Sequence, residues 1–149
     1  MKNTESTVEN SSKVKWNKRF TYPKSVRSLQ DGQRHYSVGD EKLPSVTTIL
    51  GATQSDEKRE SLAKWIANKG QKEADRVKNE AAKRGSAMHS ILEHHIIGNN
   101  TLDLTDVGQE AHRMAKVVIE KGFPQLEEVW GSEVVLSYPG LYAGQTDLV

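Results

Sequence analysis

The sequence predicts an α/β domain in which helices pack on a β-sheet. Two observations support this: apolar residues recur at helical spacing from about residue 46 to residue 122, and strict alternation replaces that spacing from Ser132 onward. A chain of 149 residues is long enough for one hydrophobic core. Residues 1–12 are polar apart from Val8, so we expect a disordered tail followed by a single domain over residues 13–149.

The part of the chain before the first helix has a broken, strand-like pattern. Short strands are predicted at residues 19–22, ahead of a proline, and at residues 34–38, ahead of a glycine and an aspartate. Ser45 is the residue type that caps helices, and Val46 begins a short apolar pattern with helical spacing. A short helix is therefore predicted to begin at Val46.

Helices are predicted over most of the middle of the chain. Their predicted ranges are residues 55–70, 71–83, a helix that follows Gly85 and ends at about Ile97, and residues 105–122, the last beginning at Thr105 or Asp106. Trp65 lies in an apolar stripe with Leu62 and Ile66, which predicts a place in the core. Few apolar residues occur between 71 and 83, so that segment is expected to be thinly packed, with its basic side facing solvent.

Composition and charge narrow the classes of protein. The chain has no cysteine, which excludes disulfides, thiolate zinc sites and a cysteine nucleophile. No apolar run approaches the roughly 20 residues that span a bilayer, and the N-terminus lacks a leader pattern, so no membrane association and a cytoplasmic location are expected. Residues 1–85 hold 18 of the 21 lysines and arginines and 11 of the 20 acidic residues, which gives that half +7 and the remainder −6. The basic half suggests a polyanion partner, and the acidic half suggests carboxylates gathered around a cation. An equal alternative is that lysine-rich helices merely have solvated faces.

His89 and Glu93 lie one turn apart on a predicted helix. Both fall within roughly 80° of the centre of the buried stripe formed by Met88, Leu92 and Ile96. A buried carboxylate without a partner is strongly disfavoured. The pair is therefore either a hydrogen-bonded structural pair or part of a metal site. The His-Glu-x-x-His order of zinc proteases is absent.

A second candidate group lies in a predicted hairpin with strands at residues 132–138 and 141–149. Asp147 interrupts an apolar strand pattern, and aspartate is a poor strand former, so this position is either functional or a strand end that caps a turn. Glu133 is a further candidate, but its register with Val135 is equally typical of a surface glutamate. Oxygen ligands with one imidazole suit Mg²⁺ or Mn²⁺.

Two motifs together resemble a known family: Gly85-x-x-x-His89-x-x-x-Glu93, and Tyr142-Ala143-Gly144-x-x-Asp147-x-Val149. They resemble the RecB-like branch of the PD-(D/E)XK nuclease superfamily. Residues 43–50 are also similar to the N-terminal segment of the mitochondrial genome maintenance exonucleases and their phage and bacterial relatives. The likeness covers residues 34–149. It implies a restriction-endonuclease-like core, with helices packed on a mixed β-sheet, and a Mg²⁺- or Mn²⁺-dependent exonuclease acting on single-stranded DNA ends.

The resemblance also implies roles for individual residues. His89 would be a metal-ligating or metal-adjacent histidine, and Asp147 would be the metal-bridging aspartate of the second motif. Glu133 would correspond to an additional strand glutamate, and Glu93 could instead fill the acidic role of the first motif, which makes both candidate catalytic residues. The implied DNA contacts are hydroxyl groups at a helix start and basic residues of a helix, namely Ser45, Thr47, Thr48, Lys83 and Arg84.

The third motif of this family, an acid and a lysine separated by one residue, would follow Asp147. Only Leu148 and Val149 follow it in this sequence. We therefore expect a fold that is incomplete at its C-terminus, little or no catalysis by this chain alone, and a complementing C-terminal polypeptide as a candidate partner. A non-catalytic DNA-binding or assembly module and an unrelated metal-dependent hydrolase are the alternatives. The expected location is the cytoplasm, or the host cytoplasm for a viral protein.

Overall fold

The computed structural model describes residues 14–99 and 105–149, so the predicted tail over residues 1–12 lies outside the described residues. The described chain combines helices with small antiparallel sheets, which confirms the mixed helix-and-strand class. Its elements are β1 Ser25–Gln30, β2 Gln33–Val38, β3 Glu41–Pro44, α1 Val46–Ala52, α2 Asp56–Lys69, α3 Gln71–Ile97, α4 Asp106–Val117, β4 Ser132–Tyr138 and β5 Tyr142–Leu148. A π-helical turn over Val118–Gly122 and a 3-10 turn over Phe123–Gln125 follow α4. The described strands form two separate antiparallel sheets, where the resemblance implied one mixed sheet.

The first sheet is an antiparallel meander in the order β1-β2-β3. Asp31 and Gly32 join β1 to β2, and their φ angles of 51° and 74° fit a two-residue hairpin turn. The strand predicted at residues 34–38 is confirmed within β2, whereas the strand predicted at residues 19–22 is wrong. Those residues have no regular structure and pair with no described strand, and the Phe20 ring lies 5.5 Å from that of Trp130.

The second sheet is the predicted hairpin, in which β4 pairs with β5 in antiparallel register. Ser45 forms an isolated parallel bridge with Ala143, which brings the start of α1 against β5. Gly144 permits this close approach, because a Cβ atom there would lie 3.1 Å from a methyl carbon of Val46. The helix start predicted at Ser45 is confirmed, since its hydroxyl accepts a hydrogen bond from the backbone N–H of Thr47.

Two predictions about the long helices are wrong. Trp65 is 37% exposed and no residue of α2 is buried, because among the described elements α2 packs chiefly against α3 and its apolar stripe is left uncovered. Gly85 does not separate two helices, since α3 runs unbroken from Gln71 to Ile97. A glycine inside a helix costs about 1 kcal/mol relative to alanine, which is too little to end a helix that packs along its length.

The last long helix, α4, lies against α3. Ala111 and Ala115 are completely buried, and such small residues allow the two helix backbones to approach closely. The predicted start is confirmed, because Thr105 accepts a hydrogen bond from the backbone N–H of Gly108. Of the helices in the two described segments, none combines the length and the apolar composition that crossing a bilayer requires.

Two small hydrophobic clusters hold these elements together. One joins the two sheets through Tyr36, Leu43, Val135 and Ala143. The other joins the end of α3 to the segment after α4 through Ile96, Phe123 and Val129, and Leu148 of β5 packs against it. The hairpin therefore contributes to both clusters. Its outer end, at the start of β4 and the end of β5, lies beside the C-terminal half of α3.

Glu128 helps to attach residues 15–17 to the rest of the protein. Its carboxylate accepts hydrogen bonds from Lys15 Nζ at 2.5 Å, Asn17 Nδ2 at 2.8 Å and Trp130 Nε1 at 2.9 Å. The hydrogen bond from Lys15, followed by those from Trp130 and Asn17, lowers the pKa of Glu128 from 4.5 to about 2. A depressed carboxylate pKa stabilises the folded state above pH 4.5, and this contribution is lost as the pH falls through 4.5 toward 2.

We therefore expect that acidification over this range weakens the attachment of residues 15–17 and changes the tryptophan fluorescence of Trp16 and Trp130. Glu128→Gln removes the titrating group, so the variant should lack this pH-dependent change. Glu127→Gln removes the same charge from the exposed neighbouring residue and should titrate as the wild type does. Identical acid titrations of the wild type and Glu128→Gln would contradict the assignment.

Candidate metal centre

Three side chains from three different elements meet beside α3. The Nδ1 atom of His89 lies 3.0 Å from Oε1 of Glu133 and 3.3 Å from Oδ1 of Asp147. The hairpin register explains the meeting of the two acids, because they lie between the paired positions Ser132↔Leu148 and Val134↔Thr146. The structure thus brings together both predicted metal ligands, His89 and Asp147, with the strand glutamate that the resemblance implied.

The geometry of this group fits a divalent cation. One ligand atom from each residue lies within 4.8 Å of the other two. Neighbouring ligands of an octahedral ion at about 2.1 Å are themselves about 3 Å apart, which is close to the two His89 distances. One imidazole with two carboxylates is a donor set that suits Mn²⁺ and Mg²⁺. The residues therefore fit the group that the resemblance implies.

A hydrogen-bonded group without a metal is the alternative interpretation of the same arrangement. The Nδ1 atom of a histidine carries at most one hydrogen, so it can donate fully to only one acceptor. Here both Glu133 and Asp147 approach that one atom. Asp147 therefore has no hydrogen-bond donor of its own within the group, and its carboxylate, which is 70% exposed, is satisfied either by solvent or by a cation among the three.

Glu133 is held in an unusual backbone conformation. Its φ angle is 52°, in the left-handed region that costs a residue with a Cβ atom roughly 1–2 kcal/mol. Its side chain is 21% exposed, and Oε2 accepts a hydrogen bond of 2.5 Å from the Gln145 side chain, which leaves Oε1 for His89. Gln145 was not among the predicted site residues. The alternation of β5 could have indicated it, because Gln145 lies on the same face of the strand as Asp147.

The centre is open to solvent on one side and flanked by two cavities. The Asp147 side chain is 70% exposed, whereas that of Glu133 is largely covered. A polar cavity of about 440 Å³ is lined by His89, Glu93 and Glu133, and a more apolar one of about 180 Å³ is lined by the same three residues with Asp147. Glu93, the remaining predicted catalytic residue, lines both cavities but lies outside the group of three ligand atoms.

The predicted DNA-binding hydroxyls are engaged at the start of α1. Ser45 is 1% exposed, and its hydroxyl caps the helix and lies 2.8 Å from that of Thr47. Thr48 donates a hydrogen bond to the backbone carbonyl of Arg34. Ser45 is therefore a capping residue whose buried hydroxyl does not face solvent, while the Thr47 side chain is exposed.

The two predicted basic residues differ in their surroundings. Lys83 is exposed on α3. Arg84 forms an ion pair of 3.4 Å with Glu110 of α4, so part of its charge is matched within the protein. Arg84 thus contributes to the packing of α4 against α3, and Lys83 is the more accessible cation of the two.

No family model, curated protein or solved structure gives a significant match to this chain.

Proposed function

We propose that this protein is a metal-dependent DNA nuclease, an exonuclease acting on single-stranded ends, built on a restriction-endonuclease-like core and working in the cytoplasm. The observation that supports this best is the meeting of His89, Glu133 and Asp147 at distances that fit one divalent ion. The motifs that resemble the RecB-like nucleases contain the first and the last of these residues. The sequence motifs and the positions of these side chains therefore support the same site.

The proposed roles follow from where each side chain lies. His89, Glu133 and Asp147 hold the ion, and Gln145 fixes the Glu133 carboxylate. A divalent cation held there supplies the Lewis acid for phosphodiester hydrolysis. Glu93 contributes a further carboxylate to the wall of the polar cavity, in which the scissile phosphate would lie.

The polyanion partner is proposed to be DNA, bound mainly through its phosphates. Exposed lysines follow the N-terminal half of α3, at Lys72, Lys78 and Lys83, and this helix leads directly to His89. Phosphate contacts by lysine carry no sequence information and weaken as salt is raised. The proposal therefore includes DNA binding that depends on salt and little on sequence.

The experiment is a single-turnover cleavage assay with the chain in excess over single-stranded DNA labelled at either the 5′ or the 3′ end, so that slow hydrolysis is still detected. We expect cleavage products with Mn²⁺ or Mg²⁺, none with EDTA, and none with Asp147→Asn. Asp40→Asn changes an aspartate in the turn between β2 and β3 and serves as the matched control. Cleavage in EDTA, or equal cleavage by Asp147→Asn, would contradict a nuclease centre here. DNA binding that is unaffected by His89→Ala and Asp147→Ala, with no cleavage in any metal, would instead favour the non-catalytic binding module.

A further inference from the structure

We propose that Arg27 binds a phosphate of the DNA strand and thereby holds the strand in the polar cavity beside the metal centre. This inference rests on the proposed function and extends it to the part of the substrate next to the reacting group. Arg27 lies on β1 and lines the cavity of about 440 Å³ together with His89 and Glu133, which belong to α3 and β4. The cavity therefore has an arginine on one wall and the candidate metal ligands on others.

The Arg27 guanidinium is not neutralised by the protein. Within residues 14–99 and 105–149 it has neither an ion pair nor a hydrogen bond, although Glu93 and Glu133 line the same cavity. By contrast, Arg76 pairs with two glutamates and Arg84 pairs with one. An arginine that lines a cavity with carboxylates and pairs with none of them remains available for an external anion.

A phosphodiester is the anion that best suits this site. Carboxylates in the cavity repel a free anion, so a ligand needs both a cation bridging it to the acids and a positive group for its other oxygens. A strand with phosphates at the metal centre and at Arg27 satisfies both conditions. Guanidinium binds two phosphate oxygens at once, and a cavity of this volume has the size of a small-ligand site.

The backbone that carries Arg27 is well fixed. Arg27 pairs across the sheet with Tyr36, which is buried in the cluster that joins the two sheets. A residue on a rigid strand presents its side chain with less loss of entropy than a residue on a loop does. Ser86 and Ser90, one helical turn apart on α3, line the same cavity and offer hydroxyl donors to the strand.

The test measures binding of a short fluorescein-labelled oligothymidylate by the full chain in the presence of Ca²⁺, a divalent cation with oxygen ligands that can lie among the acids, and the readout is binding rather than cleavage. For Arg27→Gln we expect affinity to fall by about 10-fold, the range of a lost charge-assisted phosphate contact, and the slope of log affinity against log salt to fall by about one. Arg27→Lys keeps the charge without the two-oxygen geometry and should lie between the wild type and Arg27→Gln. Mn²⁺ affinity should be unchanged in both variants.

Arg34→Gln is the matched control, because it removes the same charge from the neighbouring strand at a residue that does not line the cavity. Equal oligonucleotide affinity of Arg27→Gln and Arg34→Gln would overturn the proposal, as would a loss of Mn²⁺ binding in Arg27→Gln. The two proposals fail separately. If Arg27→Gln lowers oligonucleotide affinity more than Arg34→Gln does but no metal-dependent cleavage is found, the binding role of Arg27 stands and the nuclease function is rejected. If metal-dependent cleavage is found but the two variants bind equally, the nuclease function stands and the role of Arg27 is rejected.

Discussion

Replacing His89 with alanine is expected to weaken Mn²⁺ binding by about 100-fold or more, since even residues that only orient a metal ligand are worth roughly 10–100-fold in affinity. His89 provides the single nitrogen that both Glu133 and Asp147 approach, and without it the two carboxylates face each other with no group between them. Isothermal titration calorimetry with Mn²⁺ measures the change directly. Glu133→Gln should weaken binding as well, because an amide is a poorer ligand than a carboxylate.

His94→Ala is the control for this loss. His94 lies on the same helix, but its Nδ1 atom contacts the backbone carbonyl of Ser90 at 2.6 Å and takes no part in the group of three. Its removal should leave Mn²⁺ affinity within about twofold of the wild type, the scatter expected for residues outside a site. If His89→Ala and His94→Ala bind Mn²⁺ equally well, the cation is bound elsewhere and the proposed centre is wrong.

The largest expected effect on stability is that of Phe123→Ala. The Phe123 ring is buried between Ile96 and Val129, and truncating a buried phenylalanine costs about 3–5 kcal/mol of the free energy of unfolding. Urea denaturation measures this cost. Where Phe123→Ala does not fold, Ile96→Val tests the same cluster with an expected loss of about 0.5–1.5 kcal/mol.

Leu126→Ala is the control for the stability measurement, because Leu126 is exposed and follows the same 3-10 turn. We expect its free energy of unfolding to stay within about 0.5 kcal/mol of the wild type. A loss at Leu126 as large as that at Phe123 would show that the cluster around Phe123 does not dominate the stability of this region.

The sequence was most informative where one regular element decides the geometry. Helical periodicity predicts that His89 faces the buried side of α3, and the interruption of an apolar strand pattern marks Asp147 near the end of β5. The participation of Glu133 depends on the register between two strands and on a left-handed backbone, neither of which the local pattern determines. The sequence therefore makes Glu133 a candidate, and only the structure shows that it contacts His89.

Other features were missed for identifiable physical reasons. The Asp31-Gly32 pair is a strong hairpin signal, but the polar strands around it have little of the alternation on which strand prediction depends. The apolar stripe that contains Trp65 indicates which face of α2 would be buried, but it does not indicate whether another element covers that face. The prediction that Trp65 lies in the core is wrong for this reason. The sequence does not predict a role for Arg27, because an arginine on an exposed strand can be assigned to a binding cavity only when the other residues that line the cavity are known.

The left-handed backbone at Glu133 has a consequence for any attempt to make this protein more stable. Glycine and asparagine tolerate that conformation better than glutamate, so either substitution should relieve local strain. The same substitution would delete a carboxylate from the centre that the structure supports best. Screening for thermostability alone would thus tend to select variants that lose the proposed metal centre, and position 133 is where that conflict should first be seen.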